Sequence, residues 1–147
     1  MGYVENNLSA GETVVYKAKL HFFMFVQPAI VLLLGYWFYS SAHSVAHYIG
    51  LALLILGLIS LIRRLLIIWG AEYAVTNKRV ILKTGIIGRN AVDLILAKCE
   101  GLQIKQSVWG RIFGFGTITV TTGGATNSYP FIANPLKFKQ EINNQIG

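Results

Sequence analysis

Charged side chains are missing from a long stretch of this sequence. No Asp, Glu, Lys or Arg occurs between Lys19 and Arg63, and the whole chain has only 13% charged residues against 54% hydrophobic ones. A soluble domain ordinarily carries about 25% charged residues. The gap, residues 20 to 62, has room for two helical crossings of a bilayer, each of roughly 20 apolar residues, and a tight turn. It is far too long for one crossing.

The two apolar runs predict a transmembrane helical hairpin. The first crossing is Phe22 to Tyr39. The second is Val45 to Ile62, or longer if it continues through LLIIW, and the polar, uncharged SSAHS connects the two. A buried helical hairpin of a soluble protein is the alternative, but both runs approach the full spanning length. A cleaved signal peptide fits less well, because no small-residue cleavage site closes the first run.

Basic residues flank the predicted hairpin only on its outer sides. Lys17 and Lys19 precede the first helix, Arg63 and Arg64 follow the second, and the connecting loop has none. By the positive-inside rule, both termini are then cytoplasmic. Residues 63 to 147 hold eleven Lys and Arg against four Asp and Glu, so the net charge of +7 belongs to this part.

Motifs of catalysis, cofactor binding and metal binding are also lacking. His43 and His47 have the i, i+4 spacing of two metal ligands, but no third ligand is near them in the sequence. The glycines around Gly114 do not form GxGxxG, and no serine lies in a nucleophile elbow. The single cysteine, Cys99, allows no intrachain disulfide, suits a reducing compartment and is expected in a strand or loop. We therefore expect no enzyme, no cofactor and no metal.

The remainder of the chain predicts short strands followed by one helix. In the stretch AEYAVTNKRVILKTGIIGR, residues 71 to 89, apolar and polar residues alternate on both sides of TNKR, which has the composition of a turn. This pattern is typical of a β-hairpin with a basic tip. Further alternating segments follow, separated by the irregular, glycine-rich SVWGRIFGFG. Asn134 and Pro135 predict the start of a last helix, whose Phe138, Ile142 and Ile146 share a face. The fold class is then a membrane α-helical hairpin plus a small, mostly-β domain, an antiparallel barrel or sandwich with a C-terminal capping helix.

The segment ETVVYKAKL before the hairpin also alternates. We expect it to add a strand to the domain that forms after the hairpin; the alternative is an amphipathic segment along the membrane surface. The predicted organisation is a cytoplasmic N-terminal segment (1–19), the hairpin (20–68) and a cytoplasmic domain (69–147).

Motifs across nearly the whole chain resemble the bacterial pleckstrin-homology (PH) domain membrane proteins. The matching segments are VTNKRVI at 75 to 81, KTGIIGR at 83 to 89, QS.WGRIFGFGT at 106 to 117 and FIANP..F at 131 to 138. The resemblance implies two membrane helices, a PH-like fold and a location in the bacterial inner membrane. Some soluble relatives assemble into rings, so self-association is an expectation. Phosphoinositide binding is not implied, since the likeness to eukaryotic PH domains is one of fold.

Two sets of residues are candidates for binding. Anionic headgroups attract basic side chains near a membrane surface, and the candidates for membrane or anionic-lipid contact are Arg63, Arg64, Lys78, Arg79, Lys83 and Arg89. The aromatic cluster in the glycine-rich segment either belongs to the core or forms an exposed patch on the surface. If it is exposed, the candidates for protein interaction are Trp109, Phe113 and Phe115.

The sequence favours a non-enzymatic, membrane-anchored scaffold that associates with itself or binds partner proteins, with anionic lipid as a further contact. The alternative is a small oligomeric channel or transporter component, although the uncharged helices offer no evident ion path. The expected partners are membrane lipids and a second copy or another membrane protein. Nucleic acid is not expected, because aromatic residues do not interleave with the basic ones.

Overall fold

The computed structural model describes residues 2–98, 101–122 and 124–147; Cys99 lies outside these ranges. The chain forms two compact units. One consists of Met1–His21 together with Gly70–Gly147, and the other is Phe22–Trp69. The first unit is thus built from two pieces of chain that flank the second.

Within the described residues, seven strands of the first unit form two antiparallel sheets. The first sheet has the order β1-β2-β3-β4, and its strands are Val14–Ala18 (β1), Glu72–Thr76 (β2), Arg79–Thr84 (β3) and Asn90–Ile95 (β4). The second has the order β5-β6-β7, with Gly101–Lys105 (β5), Phe115–Thr122 (β6) and Ala125–Ala133 (β7). Five helices are described, namely Tyr3–Asn6 (α1), Val26–Tyr39 (α2), Ser44–Gly70 (α3), Val108–Phe113 (α4) and Pro135–Ile146 (α5). The predicted mostly-β architecture with a C-terminal helix is confirmed.

Strand β1 lies in the same sheet as the strands that follow the helical unit. It pairs with β2 from Val14 opposite Thr76 to Ala18 opposite Tyr73. Beyond β1 the chain turns toward the second sheet, where the Lys19 carbonyl accepts a hydrogen bond of 2.8 Å from the Ala133 amide. The two sheets are therefore joined at this corner, as in a partly closed barrel.

The core lies between the two sheets under helix α5. Alternate residues of the strands point inward, including Val80 and Leu82 of β3 and Ile118 of β6. Phe138 and Ile142 of α5 are almost fully buried against them, and each contributes about 1.5–3 kcal/mol by leaving water. Ile146, expected on the same face, is the last residue of α5 and remains 51% exposed.

The outer face of the first sheet is covered by the N-terminal segment. Ala74 and Ile81 point away from the main core and pack under Val4 of α1. The Glu72 carboxylate accepts hydrogen bonds from the amides of Tyr3 (2.9 Å) and Val4 (3.1 Å), which fixes α1 at its N-terminal end. Both faces of β2 and β3 are thus buried.

The helical unit is a hairpin of α2 and α3. Phe22–Tyr39, which begins as a 3₁₀ turn at Phe22–Phe25, has 18 residues and Ser44–Gly70 has 27, and both are long and apolar enough to cross a membrane. The second helix therefore extends past Ile62 through LLIIW, the longer of the two predicted forms.

Three glycines lie where the two helices of the hairpin are in contact. A Cβ atom on Gly35 would lie 2.9 Å from the Leu54 amide nitrogen, and one on Gly57 would lie 2.8 Å from the Leu32 side chain. At Gly50 the added atom would collide with the Tyr39 backbone. Small residues of this kind let helix backbones pack closely in an apolar solvent.

We predict that Gly50→Ala loosens the hairpin. The new methyl group has no space against backbone atoms, and such overpacking costs about 1–3 kcal/mol. Unfolding of the full chain in mixed micelles, titrated with sodium dodecyl sulfate, measures the loss. Ile55→Ala is the control and should change the stability little. The Ile55 side chain is 53% exposed, so detergent solvates it in both the folded and the unfolded hairpin. Equal stability of Gly50→Ala and the parent chain would contradict the packing described.

Candidate functional site

Arg79 is held inside the first unit by several hydrogen bonds. Its Nε atom lies 2.9 Å from Glu12 Oε1, its Nη1 lies 2.8 Å from Asp93 Oδ2, and its Nη2 donates to the Asn7 carbonyl at 2.6 Å. The Glu12 side chain is fully buried. Arg79 therefore joins the loop before β1 to strands β3 and β4, and its charge is balanced within the fold.

Glu12 is the acidic centre of this cluster. Besides Arg79, its carboxylate accepts hydrogen bonds of 2.7 Å from the Thr76 hydroxyl and from the Ser9 amide. Burial acts to raise the pKa of Glu12. The hydrogen bonds, that from Arg79 foremost, outweigh burial and hold the pKa at about 2, below its usual 4.5. Glu12 thus stays ionised and paired over the whole physiological range.

The other basic residues of the β-hairpin differ in how much of their charge is balanced. Lys78 Nζ donates to the Ala10 carbonyl at 2.7 Å. Lys83 Nζ lies 3.8 Å from Glu72 and 5.3 Å from the centre of the Tyr3 ring, and its side chain is only 12% exposed. Arg89 is exposed in the turn between β3 and β4, and no ion pair to it occurs within the described part of the chain.

Arg63 and Arg64 lie near the C-terminal end of α3, in the helical unit. Arg64 Nη2 donates a 2.9 Å hydrogen bond to Gln27 Oε1 of α2, so it links the two helices of the hairpin. A cleft of about 330 Å³ beside this link is lined by both arginines and Ser60. The six basic candidates are therefore divided between the units, four in the first and two in the second, and their contact with lipid stays a prediction.

The glycine-rich segment, expected to be irregular, contains the short helix α4. The Ser107 side chain accepts a 3.1 Å hydrogen bond from the Gly110 amide, and Gly114 ends the helix with φ +78°. A Cβ atom on Gly110 would lie 2.5 Å from the Phe115 carbonyl, so the helix is seated closely on β6. Serine is a common N-cap residue and glycine a common C-cap residue. The seven-residue spacing of Ser107 and Gly114 in the sequence could therefore have identified the helix.

Helix α4 presents an apolar surface to solvent. Trp109 is 62% exposed and Phe113 is 45% exposed, and their rings stack with centroids 6.3 Å apart. Val108 (73% exposed) and Ile112 (66% exposed) belong to the same surface, although they were not among the predicted residues. At about 100° per residue, these four side chains fall within an arc of roughly 140°. We call Val108, Trp109, Ile112 and Phe113 the α4 patch.

Phe115 is a correction to the predicted interaction set. It is only 7% exposed, and its ring stacks on His21 with centroids 5.3 Å apart. Phe115 begins β6 directly after the Gly114 turn, which directs its side chain into the domain. Its side chain is therefore too little exposed to form a docking surface.

A cleft of about 490 Å³ lies beside α4, at the start of α5. Arg111 and Lys137 line it, together with Gln106 and Asn134. Asn134 occupies the predicted N-cap position, but its backbone is left-handed with φ 50°, and its side chain makes no capping hydrogen bond. The cleft adds positive charge next to the α4 patch.

A family model described as "Bacterial PH domain" matches residues 23–146 of this chain. Among solved structures, the chain is similar to a DUF1696 family protein with a pleckstrin-homology domain from Shewanella loihica PV-4. The two are 15% identical, the match covers 52% of this chain and 71% of that one, and the TM-score is 0.41. No curated protein matches the chain.

We predict that Glu12→Gln lowers the stability of the first unit at neutral pH. Because the folded pKa lies below the unfolded one, the carboxylate stabilises the fold above pH 4.5, and this contribution is lost as the pH falls toward about 2. A shift of this size corresponds to about 3 kcal/mol. The unfolding free energy of the variant should therefore be lower at neutral pH and change less between pH 4.5 and 2.

Glu5→Gln is the matched control for this prediction. Glu5 pairs with Lys17 at 2.6 Å, but the two side chains are 48% and 44% exposed, so solvent screens the pair and the loss should be much smaller than that of Glu12→Gln. Denaturant titration of the full chain across this pH range gives both values. Equal losses for Glu5→Gln and Glu12→Gln would contradict the assignment of Glu12 to a buried, stabilising cluster.

Proposed function

Because the chain belongs to the bacterial PH domain family, we propose that it is a non-enzymatic interaction module anchored in the bacterial inner membrane. The helical hairpin is the anchor, and the PH-like unit recruits a partner protein on the cytoplasmic side. The observation on which the proposal rests is the α4 patch, an apolar surface on a domain in which Glu12, Asp93 and Glu72 are engaged by hydrogen bonds within the fold.

The exposure of the hairpin supports its role as anchor. Only 6% of the most apolar window of α3 is buried, whereas a core helix of a soluble protein has most of such a window covered. Leu33 on α2 and Leu56 on α3 are 69% and 60% exposed, and lipid would cover them. Basic residues on the outer flanks, with none in the connecting turn, favour a hairpin with both ends in the cytoplasm.

The ionisable groups of the domain support a non-enzymatic role. Asp93 and Glu12 are both bound to Arg79, and Glu72 holds the start of α1. Hydrogen bonds to Glu12 and Glu72 outweigh burial and lower the pKa of both carboxyls, so these two groups are poor proton donors or acceptors near neutral pH.

The α4 patch has the composition of a protein-binding surface. Tryptophan and other large apolar residues at the centre of an interface contribute most of its binding energy. Helix α4 is held at both ends and seated through Gly110, so little conformational entropy is lost when a partner binds.

Charge decides which kind of partner fits the patch. Residues 101 to 140 contain no Asp or Glu, but they contain Lys105, Arg111, Lys137 and Lys139. A second copy docking through the same face would bring Arg111 near its own equivalent. A protein with an apolar groove and an acidic rim has the complementary charge.

The mass of the intact complex, extracted in native lipid from its own membrane, tests this proposal. We expect one copy of the chain bound to a different protein, and we expect that protein to be lost from the double variant Trp109→Ala, Ile112→Ser. Ile146→Ser is the control, since Ile146 is an apolar residue of similar exposure, 51%, at the far end of α5.

Three results would contradict the proposal. If the chain is a monomer without a second protein, it recruits no stable partner. A homo-oligomer that dissociates in the double variant would assign the patch to self-association. A complex that survives the double variant, or that Ile146→Ser weakens equally, would remove the patch from the interface.

A further inference from the structure

The turn between β3 and β4 carries the most exposed large hydrophobic residue found in the described part of the chain. Ile87 is 95% exposed at the tip of residues 85 to 89, Ile86 beside it is 43% exposed, and Arg89 follows on the exposed side of the turn. A single exposed isoleucine is ordinary on a protein surface. Two adjacent exposed isoleucines followed by an arginine, at the tip of a turn, have the composition of segments that lie in a membrane interface.

The turn is held in place by glycines. Gly85 has φ +87°, and a Cβ atom there would collide with the Gly88 carbonyl, so the tight bend depends on glycine. Gly70 packs against the same bend: a Cβ atom on Gly70 would lie 2.8 Å from the Gly85 carbonyl carbon and 2.8 Å from Ile86 Cγ1. The exposed tip thus belongs to a turn fixed against Gly70.

Gly70 connects the turn to a residue that follows the membrane anchor directly in sequence. One peptide bond joins it to Trp69, the last residue of the helical unit. If that unit spans the bilayer, as the proposed function holds, this end of the span lies at the bilayer surface, where tryptophan is enriched. The turn that packs against Gly70 is then joined to the end of the proposed span through one peptide bond.

The charges around the turn favour an anionic surface. The carboxylates of the same sheet are already engaged, Asp93 by Arg79 and Glu72 by the amides of α1. Arg89 is therefore the cation that the turn exposes. A guanidinium group can bind a phosphate through two parallel hydrogen bonds. Isoleucine side chains supply the apolar part of the contact, as in other interfacial anchors.

We infer that the 85–89 turn is a second membrane contact: Ile87 inserts among the upper acyl chains of the cytoplasmic leaflet, and Arg89 binds a phosphate of an anionic lipid. This inference rests on the proposed anchoring of the hairpin. It fixes the face of the PH-like unit that is turned toward the bilayer, and a partner would then have to bind on another face.

A nitroxide spin label at position 87 tests the inference. The label is attached to Ile87→Cys in the full chain with Cys99→Ser, reconstituted into bilayers that contain phosphatidylglycerol. Oxygen, which concentrates in lipid, and a water-soluble nickel chelate, which is excluded from lipid, are used as relaxation agents. Ile55→Cys in α3 reports on the anchor, and Ser128→Cys, an exposed site on β7, reports on water.

We expect the label at 87 to be accessible to oxygen and protected from nickel, like the label at 55 and unlike that at 128. Adding Arg89→Gln, or replacing phosphatidylglycerol by phosphatidylcholine, should move the label at 87 toward nickel accessibility. Excess inorganic phosphate, added to the protein in phosphatidylcholine bilayers, should not restore the protection of the label at 87 from nickel. The reason is that the contact is with a lipid phosphate held at the bilayer surface.

The outcomes separate the failure of this inference from the failure of the anchor. A lipid-like signal at 55 with a water-like signal at 87 would overturn the inference and leave the anchor standing. Protection of 87 from both agents would assign the turn to a protein contact, which also overturns it. A water-like signal at 55 would contradict the anchoring on which both proposals rest.

Discussion

The pairing of β1 with β2 is the constraint on which the rest of the architecture depends. The two strands lie on either side of the helical unit in sequence but are neighbours in one sheet. The buried Glu12–Arg79 pair and the packing of Val4 on Ile81 strengthen the same junction. Because the chain leaves and re-enters one domain, the segment between must return to the side from which it started. Two helices with a tight turn meet this requirement, and one spanning helix would not.

The charges of the folded unit are distributed unevenly. Near the first sheet, acidic and basic residues form pairs that fasten the N-terminal segment, so their charges balance. Residues 101 to 140, which include the second sheet and α4, contain four cations and no acid, and Glu141 of α5 is the first acid after them. A tethered domain already has a high local concentration at the membrane, and its remaining surfaces are available to bind proteins and to set its orientation. This division favours an acidic partner beside the α4 patch, whose apolar side chains are the basis of the proposed function.

Local patterns predicted most of the fold, and contacts between distant residues account for what they missed. Alternation predicted the hairpin around Lys78, and the gap in charge predicted two long helices. No local pattern indicates that Arg79 is bound by Glu12, since 67 residues separate them. The burial of Phe115 likewise depends on the bend at Gly114 and on contact with His21. The caps of α4 were local signals, but the many glycines in that segment favoured an irregular loop.

The side of the membrane on which each segment lies decides whether the two helices form an anchor with both ends in the cytoplasm. Single cysteines would be placed at Ala10, at Ala42 in the turn between the helices and at Asn144, each in the full chain with Cys99→Ser. Intact cells would then be treated with a maleimide that cannot cross the inner membrane. The account predicts labelling of position 42 from outside, and labelling of positions 10 and 144 only after the membrane is opened. Labelling of 10 and 144 from opposite sides would contradict it, because strands on opposite sides of a membrane cannot pair.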